Sequence, residues 1–281
     1  MKRIAIITGA SSGMGSEFAK ELYFYSKKYN FGRIDELWVL ARRADRLKNL
    51  KYDLEKATEN KKDEEFPLIK TIEIDISGTQ GVRALNALLR TTFKVELKND
   101  GFEIALLINN AGFGTYGEFS ETPLDKELEM IDTNCTALTG LCGLAIPYMH
   151  EGCTILNVAS LAAFLPLGNF AVYAATKSYV LSFSVALAAE LKDKGIHVLA
   201  MCPGSVSTEF ANVASNGARK EVLHGYPAKD TVLHALKCAS KKKYIALWTP
   251  KWKVTAFFSR FIGRFFGARY TFVHNKRPYR K

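Results

Sequence analysis

Residues 7–15 read ITGASSGMG and lie between an apolar run, RIAIIT at 3–8, and a helical pattern from Gly13 to Lys28. A glycine-rich turn between a strand and a helix lets the backbone approach a diphosphate group closely. The helix N-terminus adds free N–H groups and the positive end of its dipole. The spacing is GxxxGxG and no Lys-Ser or Lys-Thr pair follows, so the turn is not a Walker A loop. The stretch predicts a turn that binds a phosphorylated ligand, with an ordinary tight turn as the alternative.

Apolar runs and amphipathic segments alternate along the rest of the chain. The strand-like runs lie at 3–8, 36–41, 68–74, 104–109, 154–160, 197–202 and 244–248, and further helical patterns at 44–57, 79–98, 123–149, 170–194 and 229–240. This alternation is typical of a parallel sheet covered by helices on both faces. No repeat or linker rich in Pro or Ser divides the chain, so we expect one α/β domain. The irregular stretch 205–228 is interpreted as a lid over a site, or as a plain connection.

The composition excludes several classes of protein. No apolar run reaches the ~18 residues that a membrane-spanning helix needs, and only four apolar residues precede Thr8, too few for a secretory signal. The five cysteines are scattered and form no CxxC pattern. We therefore expect reduced thiols in a cytoplasmic protein, with neither disulfides nor a metal site.

The net charge of +11 is concentrated near the C-terminus, where residues 231–281 hold 13 Lys and Arg and no acid. Within this segment, apolar residues recur at positions 254, 257, 258, 261, 262, 265 and 266. This spacing predicts a basic amphipathic helix over 251–268. Such a helix packs on its own protein or on a neighbouring subunit, or lies in a membrane interface. Nucleic acid is not expected as a partner, because the aromatic residues form one stripe rather than spreading along a basic surface.

The end of the second strand indicates which ligand the turn binds. A carboxylate there would accept hydrogen bonds from a ribose 2′-hydroxyl, but the sequence VLARRADRL at 39–47 places Arg42 and Arg43 instead. Arginine forks suit a 2′-phosphate. We predict NADP(H), with Arg42 as the first candidate, Arg43 as the second, and Ser11 or Ser12 assisting. The alternative is that both arginines simply begin a solvated helix. Asp75, after the third strand, is expected to hydrogen-bond the adenine.

A possible proton carrier lies in the helical pattern 170–194, where Tyr173 and Lys177 are one turn apart. Opposite charges ~4 Å apart at an effective dielectric constant of ~20 attract by about 4 kcal/mol, which would bring the pKa of a phenol from ~10 toward ~7. Ser160, at the end of a strand, would polarise a carbonyl group. Asn134, in mid-helix, would fix a water near Lys177 or would be a satisfied buried amide.

Six motifs in this order, TGASSGMG, NNAG at 109–112, Asn134, Ser160, YAATK at 173–177 and PG at 203–204, resemble the short-chain dehydrogenase/reductase family. The resemblance implies one Rossmann-like domain over 1–250, with a doubly wound, seven-stranded parallel sheet and helices on both faces. It also implies hydride transfer between NADP(H) and an alcohol or carbonyl compound. Residues 251–281 would then be a C-terminal extension.

The resemblance also assigns roles to individual residues. Tyr173 would be the general acid/base, Ser160 would orient the carbonyl, Lys177 would lower the tyrosine pKa and bind the nicotinamide ribose, and Asn134 would hold a water. The cofactor contacts expected are Gly9, Ser11, Ser12, Gly13, Met14, Gly15, Arg42, Arg43, Asp75, Ile76, Asn110, Ala111, Gly112, Tyr173, Lys177, Pro203, Gly204, Val206 and Thr208.

The residues expected around the substrate are largely apolar, namely Leu161, Phe164, Leu167, Phe170, Phe210 and Val213. No Arg or Lys lies near the start of 205–228 to hold a carboxylate, although Arg219 and Lys220 follow later. We therefore expect a hydrophobic ketone or secondary alcohol, for which a steroid or bile-acid-like ring system and a 3-oxoacyl or fatty chain are both candidates. A non-catalytic NADP-binding protein that docks on a membrane or partner is the competing hypothesis. Apolar faces on 123–149 and 170–194 would suit a dimer or tetramer.

Overall fold

A seven-stranded, all-parallel sheet lies at the centre of the structure, a computed structural model that describes residues 1–61, 64–96, 101–220 and 224–280. Its strands are β1 (Lys2–Thr8), β2 (Glu36–Ala41), β3 (Leu68–Glu73), β4 (Phe102–Asn109), β5 (Thr154–Val158), β6 (His197–Met201) and β9 (Ile245–Ala246). Their order is β3-β2-β1-β4-β5-β6-β9. The direction of winding reverses between β1 and β4, and ligands of such sheets bind in the crevice at the carboxyl ends of the strands at that point.

Helices cover both faces of this sheet. They are α1 (Gly13–Tyr25), α2 (Ala44–Lys56), α3 (Gly78–Glu96), α4 (Leu124–Ile131), α5 (Leu138–Ala145), α6 (Ala171–Leu191), α7 (Phe210–Ala214), α8 (Ala228–Ser240), α9 (Pro250–Phe258) and α10 (Arg264–His274). One buried cluster contains Phe18 of α1 and Leu236 of α8, and a second, on the other face, contains Leu89 of α3 and Val180 of α6. The predicted α/β class, with seven parallel strands and helices on both faces, is confirmed.

Several boundaries differ from those that the apolar pattern predicts. The strand predicted over 154–160 ends at Val158, because Ser160 turns the chain out of the sheet and its hydroxyl accepts a hydrogen bond from Ala162 N–H. The strand predicted over 244–248 pairs only through Ile245 and Ala246. The helix predicted over 123–149 contains a π-helical segment, Asp132–Ala137, between α4 and α5. Residues 97–98 of the helix predicted over 79–98 lie outside the described residues.

The stretch 205–228 is more regular than predicted. It holds α7 and a short parallel pair of strands, β7 (Val206–Ser207) and β8 (Tyr226–Pro227). Residues 221–223 of this stretch lie outside the described residues.

One helical stretch, Ala171–Lys194, is long and apolar enough to cross a bilayer by length and composition alone. Its buried side chains include Tyr173, Lys177, Val180 and Leu187. Val180 and Leu187 belong to the same hydrophobic cluster as Ile155 of β5. This packing is typical of a core helix in an α/β domain.

The C-terminal segment, residues 250–280, does not form the single amphipathic helix predicted over 251–268. The helix stops at Phe258 and a new one begins at Arg264, because Ile262 takes an extended conformation between them. Trp252 packs directly on Gly204, where an added Cβ would lie 2.4 Å from the indole nitrogen. The Thr271 hydroxyl accepts a hydrogen bond from Gly168 N–H at 2.9 Å. The segment therefore forms an outer wall on the main body.

The same segment has a second, solvent-facing side. Phe257, Phe258, Phe261, Phe265 and Phe266 are all exposed, and Phe265 retains 83% of its maximal accessible surface. The basic side chains Lys253, Arg260 and Arg264 are exposed beside them. We call these eight residues the aromatic–basic face.

The turn between β1 and α1 depends on close backbone contact. Gly9 has φ of +66°, and a Cβ there would lie 2.8 Å from the Ala111 Cα. A Cβ on Gly15 would lie 2.1 Å from the Gly9 carbonyl oxygen. Side chains at these two positions would force the first turn of α1 away from the strand ends.

We predict that Gly15→Ala destabilises the protein by about 2 kcal/mol or more, since rigid backbone must move to admit the methyl group. Gly143→Ala, in α5, is the matched control, because among the described residues no atom outside the local helix backbone lies within 4 Å of an added Cβ. The control should be neutral or stabilising by about 0.5–1 kcal/mol, as for glycine in a helix interior. Urea unfolding measures both free energies, and equal stabilities would contradict the close contact.

Candidate active site

A groove of about 340 Å³ lies over the carboxyl ends of β1 to β4. Of the predicted cofactor contacts, those that line it are Gly9, Ser11, Ser12, Gly13, Met14, Arg42, Arg43, Asp75, Ile76, Asn110, Ala111, Gly112 and Thr208. Gly15 does not line it and instead lies beneath the turn, in contact with Gly9. The backbone of the turn is thus open to the groove, and the first turn of α1 lies at its wall.

The NNAG segment holds the glycine turn in place. The Asn110 side-chain amide donates to the carbonyl oxygens of Thr8 at 3.0 Å and Gly9 at 3.2 Å. The Thr8 hydroxyl in turn accepts from Ala111 N–H at 3.0 Å. In the core, Asn109 Nδ2 donates to Asn157 Oδ1 at 2.8 Å, which connects β4 to β5. These amides satisfy backbone groups at the rim of the sheet and fix the floor of the groove.

The two arginines after β2 lie in different surroundings. Arg43 Nη2 donates to the Ser12 hydroxyl at 2.7 Å and to the Ser11 hydroxyl at 3.0 Å, so its guanidinium lies over the glycine turn. Arg43 Nη1 also pairs with Glu209 at 3.0 Å, whereas Arg42 pairs with Glu129 at 3.2 Å and with Asp75 at 3.8 Å. The structure therefore places Arg43, the second candidate, nearer to the turn than Arg42, the first.

Asp75 lies at the edge of the groove, where its Oδ1 accepts hydrogen bonds from Ser77 N–H at 2.9 Å and from the Ser77 hydroxyl at 2.7 Å. Ile76 follows it and is buried against the groove. This places both residues at the end of the groove beyond β3, where an adenine is expected.

A second cavity, of about 430 Å³, joins the groove at Met14, Asn110, Gly112, Thr208 and Phe210, which line both. Its other predicted lining residues are Ser160, Leu161, Phe164, Leu167, Phe170, Tyr173, Lys177, Pro203, Gly204 and Val206. Val213, predicted beside the substrate, lines the groove instead. Three segments distant in sequence therefore meet where the two cavities join.

Tyr173 and Lys177 share one face of α6, as predicted, but their side chains are not an ion pair. Lys177 Nζ donates to the Val158 carbonyl at 2.8 Å and lies 5.7 Å from the centre of the Tyr173 ring. Burial raises the pKa of Tyr173 to about 12, and a hydrogen bond from the Ser160 side chain opposes this. Burial also lowers the pKa of Lys177 to about 8. The predicted drop of the tyrosine pKa toward ~7 is therefore wrong for this arrangement, because desolvation dominates.

Ser160 and Asn134 are both buried beside this pair. The Ser160 hydroxyl faces the second cavity and lies 3.4 Å from the Pro203 carbonyl oxygen. Asn134 Nδ2 donates to the Phe113 carbonyl and to the Thr176 hydroxyl, each at 3.0 Å. Asn134 Oδ1 accepts from Phe113 N–H at 3.1 Å. The structure thus shows Asn134 as a satisfied buried amide that holds the Phe113 backbone, in a π-helical segment of the kind often found at functional sites.

Aromatic rings surround the Tyr173 phenol. The Phe170 ring stacks on Tyr173 at 4.1 Å between centroids, and Phe210 lies at 5.3 Å. Tyr116, which the sequence reasoning did not select, packs edge-on against Phe170 at 4.9 Å and also lines the second cavity. The rings exclude water from one side of the phenol, which accounts for the direction of its pKa shift.

The C-terminal segment supplies a further residue that the sequence reasoning missed. Arg277 lines the second cavity, with its guanidinium carbon 5.0 Å from the centre of the Phe170 ring. Arg277 lies 104 positions after Tyr173 and outside the amphipathic stretch, so no local pattern marks it. Only the return of the chain over the cavity reveals this residue.

Comparison with known proteins agrees with this geometry. The family model described as short chain dehydrogenase matches residues 3–218. This chain belongs to the short-chain dehydrogenase family. The resemblance that the six motifs predict is therefore confirmed.

Relatives of this short-chain dehydrogenase act on different carbonyl compounds, as their names state. It is 30% identical over 240 residues to a very-long-chain 3-oxoacyl-CoA reductase of Rattus norvegicus, covering 83% of this chain and 67% of that one. A short-chain dehydrogenase from Sphingobium yanoikuyae, solved in complex with NADPH, superposes with a TM-score of 0.72 at 25% identity, covering 92% and 94%. The bulky-bulky ketone specific alcohol dehydrogenase from Comamonas testosteroni gives 0.68 at 25% identity, covering 92% and 91%.

Proposed function

We propose that this protein is an NADP(H)-dependent oxidoreductase that interconverts a hydrophobic ketone and its secondary alcohol. The observation that carries the proposal is the meeting of Ser160, Tyr173 and Lys177 in the second cavity, which opens into the groove. One cavity is lined by the glycine turn and suits a dinucleotide. The other is lined by apolar side chains and suits an organic substrate.

The groove fits a dinucleotide in its chemistry. Glycine backbone lines its centre. A side chain added at Gly9 would collide with Ala111, and one added at Gly112 would collide with Asn134. The first turn of α1 offers N–H groups to a diphosphate. Arg43, Ser11 and Ser12 form a cluster of donors that suits a 2′-phosphate. The two residues directly after β2, where a carboxylate would accept hydrogen bonds from a 2′-hydroxyl, are arginines. NADP(H) is the cofactor that this set of residues favours.

When bound, the nicotinamide would supply or take up the hydride. The side chains orient the carbonyl oxygen and exchange a proton with it. Because the pKa of Tyr173 is about 12, its phenol keeps its proton at neutral pH and donates that proton to the oxygen that becomes an alcohol. The Ser160 hydroxyl, on the same side of the cavity, holds that oxygen in line. The Lys177 ammonium lies close to Gly112, which lines both cavities, and there it would bind ribose hydroxyls.

The lining of the second cavity favours a bulky hydrophobic substrate. Leu161, Phe164 and Leu167 line it opposite Phe170, and a volume of about 430 Å³ is of the size that drug-like molecules occupy. A steroid-like or bile-acid-like ketone fits this description. The likeness to the bulky-ketone alcohol dehydrogenase supports this class. A 3-oxoacyl chain is the second candidate, supported by the 3-oxoacyl-CoA reductase relative.

Tyr173→Phe should lower kcat for ketone reduction by about 10²–10⁴-fold, the usual contribution of a positioned proton donor. The affinity for NADPH should be unchanged, because the aromatic ring stays in place. Tyr179→Phe is the matched control, since Tyr179 lies on the same helix and its hydroxyl contacts Thr139 on the exposed surface. The assay follows the loss of reduced-cofactor absorbance with a panel of hydrophobic ketones. NADPH binding without turnover of any ketone by the wild type would favour the non-catalytic hypothesis.

Arg43→Ala should weaken NADPH binding by about 10–100-fold, the effect of losing charge-assisted hydrogen bonds, and should change NADH binding little. Arg42→Ala is the comparison, and its effect on NADPH should be smaller because the guanidinium that contacts Ser11 and Ser12 at the glycine turn is that of Arg43. Equilibrium titration of both nucleotides measures the ratios. Equal losses for NADPH and NADH in Arg43→Ala would remove this arginine from the 2′-phosphate site.

We also propose that the aromatic–basic face lies on an anionic membrane surface. Five exposed phenylalanines on one side of two helices are costly in water, and the arginines and lysine beside them complement anionic lipid headgroups. The opposite side of the same helices holds Trp252 and Thr271 on the protein, so the face is free to bind while the fold stays intact. The proposed location is therefore cytoplasmic and peripheral to a membrane.

The double variant Phe261→Ser with Phe265→Ser should reduce co-sedimentation with phosphatidylserine-containing vesicles by at least about tenfold, because two large apolar side chains are lost from the interface. Tyr52→Ser is the control, since Tyr52 is exposed on α2, away from this face. Light scattering on the same samples measures oligomeric state. The membrane proposal would be overturned if the wild-type protein did not co-sediment with these vesicles. A dimer that the double variant abolishes would also overturn it, in favour of a subunit contact.

A further inference from the structure

The outer wall of the second cavity contains a cation, Arg277, that has no acidic partner among the described residues. Among the described residues, no Asp or Glu lies within ion-pair distance of Arg277, whereas its neighbour Lys276 pairs with Glu118 at 3.7 Å. Within the described part of the chain, the Arg277 guanidinium donates one hydrogen bond, from Nη1 to the Gly168 carbonyl at 3.3 Å. A guanidinium has five N–H donors in a planar fork, so most of them are available to a ligand in the cavity.

The Arg277 guanidinium is half-buried among aromatic rings. Its carbon lies 5.0 Å from the Phe170 ring centre and 5.9 Å from that of Tyr116, and burial lowers the pKa of Arg277. The guanidinium carbon of Arg219 lies 5.8 Å from the centre of the same Tyr116 ring. Two like charges around one tyrosine repel each other, and an anion between them would be attracted by both.

The backbone around Arg277 is held on both sides, so its position is a defined part of the wall. On the N-terminal side, Arg219 Nη2 donates to the Lys276 carbonyl at 3.0 Å. On the C-terminal side, Arg280 N–H donates to the Ser215 carbonyl at 3.0 Å, and Asn216 Nδ2 donates to the Arg280 carbonyl at 2.8 Å. These contacts direct residue 277 inward while residues 276 and 280 remain exposed.

An aromatic ring, that of Phe170, lies between Arg277 and the phenol of Tyr173. Arg277 lies against Phe170, and Phe170 stacks on Tyr173 at 4.1 Å. Both Arg277 and Tyr173 line the same cavity, together with the apolar side chains of Leu161 and Leu167. A ligand that reaches from the phenol to the guanidinium therefore crosses an apolar region and ends at a positive charge.

We propose that Arg277 binds the carboxylate of the substrate, so that the protein acts on a hydrophobic keto acid and its hydroxy acid. The ketone oxygen lies at Tyr173 and Ser160, the apolar part lies along the cavity, and the carboxylate meets the guanidinium fork. Only the position of the ketone rests on the proposed function. The anion site rests on the unpaired guanidinium and the cavity that it lines.

The test compares a keto acid with its neutral primary amide. 4-Oxo-4-phenylbutanoate and 4-acetylbenzoate, with the corresponding amides, are titrated calorimetrically into the protein saturated with NADP⁺, and turnover of all four is then measured with NADPH. The wild type should bind at least one acid about tenfold or more tightly than its amide, as expected for a charge-assisted contact. In Arg277→Met this preference should fall to about one, and Arg277→Lys should retain part of it.

Arg280→Met is the matched control, because its side chain is exposed and only its backbone holds the segment. It should keep the acid preference of the wild type. Equal NADPH affinity in all variants shows that they are folded. The anion site would be overturned if the wild type bound the acids no more tightly than the amides, a comparison that needs no variant. It would also be overturned if Arg277→Met kept the acid preference of the wild type. Acid-selective binding without turnover would leave the anion site standing and reject the proposed oxidoreductase activity on these ketones.

Discussion

The contact between Gly9 and Gly15 determines the geometry of the whole site. Two missing side chains let the first turn of α1 lie against the end of β1, and the NNAG segment closes over the same point through Asn110 and Ala111. This contact sets the floor of the groove, and residues on both sides of it, Met14 and Gly112, also border the second cavity. Substrate and cofactor can therefore meet only because the backbone is packed without Cβ atoms at this junction.

Desolvation, more than charge pairing, governs the chemistry of the reacting side chains. Burial disfavours the charged form of each group, so it raises the pKa of Tyr173 and lowers that of Lys177. The ammonium of Lys177 is satisfied by the Val158 carbonyl instead of a phenolate. A phenol in this environment is a proton donor near neutral pH, which suits reduction of a ketone. Arg277, which is always charged, shows the opposite case of a cation that no acidic side chain of the described residues compensates.

Much of the fold and of the candidate site was predictable because the signals are local. Apolar runs identify all seven strands of the main sheet, and the motifs around Ser160 and Tyr173 lead to side chains that the structure brings together. The pKa of Tyr173 was not predictable, because it depends on rings from three segments that enclose the phenol. The break at Ile262 was hidden, since residues on either side keep helical spacing. No local sequence pattern marks Arg277, because it reaches the second cavity only through the packing of the C-terminal segment over that cavity.

The outer wall has a consequence for motion and assembly. Its contacts join residues far apart in sequence, as in the pairs Gly168–Thr271 and Asn216–Arg280, separated by 103 and 64 positions. Bringing such distant residues together costs conformational entropy of the intervening chain before the contacts stabilise it. We therefore expect the wall to dock after the sheet has formed. It is held by a few hydrogen bonds and small patches of packing, which places it among the regions that open without global unfolding. Exchange of bulky ligands would then proceed by undocking of residues 264–280 while the nucleotide remains seated on an undisturbed sheet.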